Sequence, residues 1–118
     1  MGDPEVMRLS VGCDIVSIHR FRDCLGEGGH AFLERIFLPS EQQESSIERL
    51  AGLFAAKEAV CKALSIPAGC WHQIHVAHEA SGTPNILLLE PVRGIQDLNL
   101  SISYDGDYAV AVVVATLA

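Results

Sequence analysis

The chain has 118 residues, a length that suits one compact domain around one core. Its 15 acidic and 8 basic residues give a formal charge of −7, which excludes a nucleic-acid partner, because nucleic-acid phosphates demand a basic surface. No apolar run is long enough to span a bilayer and nothing reads as a signal peptide, so the sequence points to a soluble cytoplasmic protein with no membrane partner. Cys13, Cys24, Cys61 and Cys70 show no paired CxxC spacing and read as reduced thiols.

The first five residues are polar and read as a loose start. Apolar residues then alternate from Met7 to Cys13, the pattern of a half-buried strand, with Asp14 at its end. Ser17 is placed to cap a short helix through Ile18, Phe21 and Leu25, which Gly26, Gly28 and Gly29 end. Residues 31–38 predict a second short helix or turn stopped by Pro39. Ser40 with Gln43, and Ser45 with Glu48, have the spacing of capping boxes. The second opens the strongest element, a helix from about Ser46 to Leu64, rich in Ala and Leu and ended by Pro67 and Gly69. Strands follow at Ile74–Val76, Ile86–Leu89 and Leu98–Ile102. Asp105-Gly106 then turns into a β-branched return strand over Tyr108–Thr116. This order predicts an α+β fold, with an antiparallel sheet packed against one long central helix. We find no repeat or linker and expect one domain over residues 1–118.

Chemistry concentrates on the long helix. At about 100° per residue, Ile47, Leu50, Phe54 and Cys61 share one face, Glu58 falls within it, and Lys62 follows one turn on. That spacing also serves an ordinary surface salt bridge, worth about 0.3–0.5 kcal/mol. A carboxylate in apolar company, however, needs a cation to offset desolvation, and a divalent metal would supply it. Ala51 and Ala55 have small side chains that leave room for a bound group beside the helix. Asp14 is the second carboxylate. It either caps the next helix or joins Glu58 in offering oxygen ligands to magnesium. The hydroxyls and backbone N–H groups of Ser101–Tyr108 can hold a phosphate, or make a plain polar hairpin. His72, His75 and His78 recur every third residue, which alternates faces on a strand and excludes one shared metal.

Three segments, in order, resemble the holo-acyl-carrier-protein synthase family. Gly12-Cys13-Asp14-Ile15-Val16-Ser17-Ile18-His19-Arg20-Phe21 resembles its opening motif, and Leu50-Ala51-Gly52-Leu53-Phe54-Ala55-Ala56-Lys57-Glu58-Ala59-Val60-Cys61-Lys62-Ala63-Leu64 its central helix. Leu100-Ser101-Ile102-Ser103-Tyr104-Asp105-Gly106-Asp107-Tyr108-Ala109-Val110-Ala111 resembles its closing hairpin. Phe37–Glu41 and Gly82-Thr83-Pro84 are weaker matches, and together the segments cover nearly the whole chain.

The resemblance implies a 4′-phosphopantetheinyl transferase-like fold and a magnesium-dependent activity. That activity moves the 4′-phosphopantetheine arm of coenzyme A, the co-substrate, to a serine of an acyl or peptidyl carrier protein, leaving adenosine 3′,5′-bisphosphate. It implies homotrimers with active sites at subunit boundaries, and carriers of the fatty-acid or polyketide type. Asp14 and Glu58 match the metal ligands, and Lys62 matches the lysine on the coenzyme phosphates. Ser103 and Tyr104 fall in the hairpin that a neighbouring subunit contributes, and the room left at Ala55 makes it a candidate to line the bound coenzyme. Glu58 is also the candidate acceptor for the serine proton. Arg20 and Arg22 flank Phe21, giving basic heads around an apolar anchor, and predict the docking surface for an acidic carrier.

The chain departs from the family at Leu53, where Arg is usual, and at Tyr104, where His is usual. It also carries Ser65-Ile66-Pro67-Ala68 in place of a Gly-rich stretch. Leu53 and Tyr104 predict a weaker grip on the 3′-phosphate of coenzyme A unless Lys57, Arg49 or Arg93 compensates. Leu53 and Tyr104 favour a second reading, a transferase-like binding or regulatory protein with altered nucleotide recognition; a third reading is an assembly module within a larger synthase. Met1 and the full motif set favour a free-standing enzyme.

Overall fold

The computed structural model describes residues 6–43 and 46–118. The expected loose start at residues 1–5 and the Ser45 cap lie outside the described residues. Strand β1 spans Arg8–Ser17, so Asp14 sits inside the strand rather than after it. The strand continues because its inward row, Ser10, Gly12, Asp14 and Val16, stays small enough to run against a helix. At Gly12 the two backbones touch, and a Cβ there would overlap the Ala59 carbonyl oxygen. The Ser10 hydroxyl donates to the Ala63 carbonyl at 2.5 Å, fastening the same crossing.

Helix α1 covers Ile18–Ile36, and Ser17 caps it as expected, its Oγ accepting the Arg20 N–H at 3.2 Å. The glycines do not end it at Gly26. The helix carries on and breaks at Gly29, whose φ of 58° only glycine adopts cheaply. Pro39 does not stop a helix either. It opens α2, Pro39–Gln42, where its missing N–H has no intrahelical partner to lose. The Ser40–Gln43 box is not formed, because Ser40 lies within α2. Glu41 does that work instead, its Oε1 accepting the Leu38 N–H at 2.8 Å.

Helix α3, Ile47–Leu64, is the centre of the molecule. Ser46 caps it, accepting the Arg49 N–H at 3.1 Å. Ser65 ends it in the left-handed region at φ 56°, the position where a glycine is usual. From Leu50 to Ala63 every residue is buried except Phe54, Glu58 and Lys62. These three recur at i, i+4 and i+8 and form one open edge. Glu58 therefore lies on the accessible stripe of this stretch, not on a buried face as its apolar neighbours suggest.

The strands form two antiparallel sheets rather than one. β1, β4 (Ile95–Asp105) and β5 (Tyr108–Leu117) make a sheet of order β1-β5-β4, while β2 (Ile74–His78) and β3 (Pro84–Leu88) form a separate hairpin. Chain order does not reveal that the first strand pairs with the last. Ala109, Ala111, Val113 and Ala115 of β5 are fully buried. Leu9, Val11, Cys13 and Ile15 lie on the opposite face, beside Val110, Val112 and Val114 in register. Among the described residues no helix is long and apolar enough to cross a membrane.

One cation lies inside the core. Lys57 is fully buried and pairs with buried Glu41 at 2.6 Å. Its Nζ also donates to the carbonyls of Ile36, Trp71 and Ile74 at 3.0, 3.1 and 2.8 Å. Burial lowers the pKa of this lysine, and the Glu41 carboxylate opposes that shift.

Candidate active site at the open edge of the central helix

Inward-facing positions on β1 point at α3, so Asp14 reaches the helix edge that carries Lys62. The Lys62 ammonium donates to Asp14 Oδ1 at 3.1 Å and to the Cys13 carbonyl at 2.9 Å. The Asp14 side chain is only 18% exposed. Lys62 thus pairs across to the strand and not with Glu58 along its own helix, and Asp14 does not cap α1. Glu58 accepts the Trp71 indole N–H on Oε1 at 2.5 Å. Asp14 and Glu58 border one cleft of about 900 Å³, together with Ser17, Phe21, Phe54 and Tyr108. Phe21 and Phe54 stack with ring centroids 5.7 Å apart and make its apolar wall.

Asp107 closes one rim, a role the sequence reading missed. It accepts from the Ser17 hydroxyl at 2.6 Å and from the His19 N–H at 2.8 Å, and its carbonyl accepts the Ile18 N–H at 2.7 Å. The hairpin is thereby tied to the start of α1. The Ser17 hydroxyl, and then the His19 N–H, hold the Asp107 carboxyl below the usual carboxylate range. The signal was present in principle, since a helix start offers unpaired N–H groups that a carboxylate satisfies. Trp71 was also missed, because nothing in its spacing links it to Glu58.

Tyr104 lies elsewhere. With Arg49, Leu53, His75 and His78 it borders a second pocket of about 300 Å³. Its ring packs over Gly52, where any side chain would overlap the phenol oxygen. Burial pushes the phenol pKa up, with Arg49 acting against that shift. Ser103 is exposed on β4, in register with Val110. Within one chain neither residue joins the cleft of Asp14 and Glu58.

Two candidates are corrected. Ala55 is fully buried in the core, so no bound group can lie against it. Phe21 is 4% exposed, so it is a core residue and not an exposed docking anchor. Of the three histidines, His75 and His78 border the second pocket together with Val76 and Ala77 between them, while the His72 Nε2 meets the Glu34 carbonyl at 2.5 Å. Among the described residues no three His, Cys, Asp or Glu side chains gather as a metal nest.

The sequence model of the 4′-phosphopantetheinyl transferase superfamily matches residues 10–113. The holo-[acyl-carrier-protein] synthase of Streptomyces avermitilis is 40% identical over 118 residues, covering 91% of this chain and 96% of that protein. The synthase of Trichlorobacter lovleyi is 38% identical, covering 92% of this chain and 97% of that protein. Among solved structures, the Helicobacter pylori holo-[acyl-carrier-protein] synthase in complex with coenzyme A superposes with a TM-score of 0.82 at 37% identity, covering 89% of this chain and 98% of that one. Two carboxylates border one cleft of the same fold, with Lys62 bonded to one of them, and this chain belongs to the 4′-phosphopantetheinyl transferase superfamily, within its holo-[acyl-carrier-protein] synthase family.

Proposed function

We propose that the chain, as one transferase unit, moves 4′-phosphopantetheine from coenzyme A to a serine of an acyl carrier protein, with magnesium, releasing adenosine 3′,5′-bisphosphate. The observation that carries this reading is the meeting of Asp14 and Glu58 at one cleft, with Lys62 held on Asp14. The donor set suits magnesium: two carboxylates from separate elements, with space beside them for phosphate oxygens and water. Asp14 and Glu58 would hold it, and when bound it neutralises charge on the pyrophosphate. Lys62 is 54% exposed, long enough to swing from Asp14 to a phosphate oxygen. The serine Oγ bonds to the β-phosphorus, the bond to the bisphosphate oxygen breaks, and the serine proton passes to Glu58. The phenyl wall of Phe21 and Phe54 limits water at that face. Incubation with coenzyme A, magnesium and apo carrier, read by intact mass, tests the reading. The carrier should gain one phosphopantetheine, and an unmodified carrier across a panel of fatty-acid and polyketide types would reject it.

The working form is proposed to be a homotrimer in the cytoplasm. Two features support it. Leu9, Val11 and Ile15 are 70%, 61% and 62% exposed on the outer sheet face, an apolar area that association would cover. The Asp14 cleft and the Tyr104 pocket are also separate in one chain, as expected of a site that two copies complete. The four free cysteines suit a reducing compartment.

Carrier docking is proposed at the start of α1, now without Phe21 as anchor. Arg20 borders the Asp14 cleft, whereas Arg22 already faces Glu48 at 3.7 Å. Arg20→Glu should therefore raise the KM for carrier more than Arg22→Glu, with binding of coenzyme A unchanged and the difference shrinking at high salt. Equal carrier kinetics in wild type and both variants would reject this surface.

For the 3′-phosphate, three substitutes for the missing basic residues reduce to one. Lys57 is buried and engaged, and Arg93 borders a different pocket beside Arg8 and Leu117. Arg49 lies beside Leu53 and Tyr104. A charge-assisted hydrogen bond contributes about 1.5–3 kcal/mol, so Arg49→Ala should cost roughly tenfold or more in kcat/KM for coenzyme A. It should leave dephospho-coenzyme A unchanged. An equal loss with both substrates would mean that Arg49 does not read the 3′-phosphate.

A further inference from the structure

We propose that Trp71 is a positioning residue for the Glu58 carboxylate, an inference that rests on the role of Glu58 given above. An indole N–H only donates, so Trp71 can neither take up nor release the serine proton. What it can do is fix one carboxylate oxygen. Its Nε1 donates to Glu58 Oε1 at 2.5 Å. That leaves Oε2 as the oxygen with no protein partner among the described residues, on a side chain that borders the cleft. Glu side chains have three rotatable bonds, and without such a tether the carboxylate would sample orientations in which neither oxygen faces the pyrophosphate.

The tether is itself held from both ends. Trp71 opens a short 3₁₀ turn, Trp71–Gln73, between α3 and β2. Its carbonyl accepts from the buried Lys57 ammonium at 3.1 Å. Its ring packs against Phe54 at 5.8 Å between centroids, and Phe54 stacks on Phe21. Phe54, Glu58 and Lys62 make up the open edge of α3, so Trp71 covers two of its three members. A partner fixed by a buried ion pair and by an aromatic contact holds a carboxylate far better than water would.

Trp71→Phe keeps the aromatic contact and removes only the donor. We expect kcat to fall about 10–100-fold, the KM for carrier to stay unchanged, and the magnesium dependence to move to higher concentration. Trp71 is the only tryptophan in the chain, which gives a readout independent of turnover. Magnesium added to wild-type protein with coenzyme A and no carrier should change its emission, and Glu58→Gln should weaken that change. In the Glu58→Gln background, Trp71→Phe should have little further effect on kcat, since the two act as one unit. If Trp71→Phe fails to fold, 3-benzothienylalanine at position 71, which replaces the N–H by sulfur in the same ring outline, carries the same comparison. Wild-type kcat and magnesium dependence in a folded Trp71→Phe, beside a crippled Glu58→Gln, would overturn the proposal alone. Wild-type behaviour of Glu58→Gln would overturn the role of Glu58 and the proposal with it.

Discussion

Asp14→Ala and Glu58→Ala are each expected to abolish magnesium-dependent transfer while the chain stays folded. The two carboxylates come from β1 and α3 and meet at one cleft, so neither can stand in for the other. On the magnesium-holding role proposed for them, removing one would leave an incomplete oxygen shell and an under-neutralised pyrophosphate. Loss of a single group that stabilises developing charge typically costs about 10²–10³ in kcat, and loss of a metal ligand should reach at least that. The fold should survive because Asp14 pairs only with a Lys62 that is 54% exposed, and such pairs contribute about 0–1 kcal/mol. Glu58→Gln is the gentler partner variant, since its amide oxygen still accepts from the Trp71 indole. Calorimetry of magnesium binding in the presence of coenzyme A separates binding from chemistry. Unchanged affinity in both alanine variants would show that these carboxylates do not hold the metal.

How far the sequence alone reached depends on the range of each interaction. Local signals were reliable: Ser17 before an apolar run, the Ala- and Leu-rich stretch to Leu64, and Asp105-Gly106 between two strands each mark structure set by neighbours in the chain. Boundaries were less legible. Gly26 and Gly28 stay helical on the exposed side of α1 and the break comes only at Gly29, while Gly12 tolerates the close crossing that lets β1 run on past Cys13. The division into two sheets was hidden because β1 pairs with β5 across almost the whole chain. Asp14, Glu58 and Lys62 stand out in the sequence as candidates through their motif company. Their surroundings do not. Trp71 meets Glu58 through a side chain thirteen positions away, and Asp107 meets Ser17 and His19 from the opposite end of the sequence. Ala55 and Phe21 were misread for a related reason. Helical spacing says which residues share a face, but not which faces are covered, and α3 is covered nearly all round.

That coverage makes Lys57 the residue whose loss should cost the most stability. Lys57→Ala removes a buried cation and takes the ammonium at 2.6 Å away from the buried Glu41 carboxylate. It also strips a donor from the carbonyls of Ile36, Trp71 and Ile74, which lie on three separate segments. Breaking a buried pair from one side typically costs about 3–5 kcal/mol, mostly as the penalty of the stranded charge. For a domain of this size, that lowers Tm by roughly 10–20 °C. Pairing Lys57→Met with Glu41→Gln should recover part of the loss. No net charge is then stranded, and the Gln oxygen can still accept one of the two backbone N–H groups, Leu38 and Val76, that Glu41 holds now. Thermal or denaturant unfolding of the wild type, both single variants and the double variant completes the cycle at fixed protein concentration, since association also shifts Tm. Single variants within about 1 kcal/mol of wild type would mean that the pair is not what fastens α2, the 3₁₀ turn and β2 around α3. The same ammonium fixes the Trp71 carbonyl, so the cycle should also be visible in catalysis. Under conditions where Lys57→Ala is still folded, its kcat should fall in the direction of Trp71→Phe, because a loosened Trp71 no longer holds Glu58.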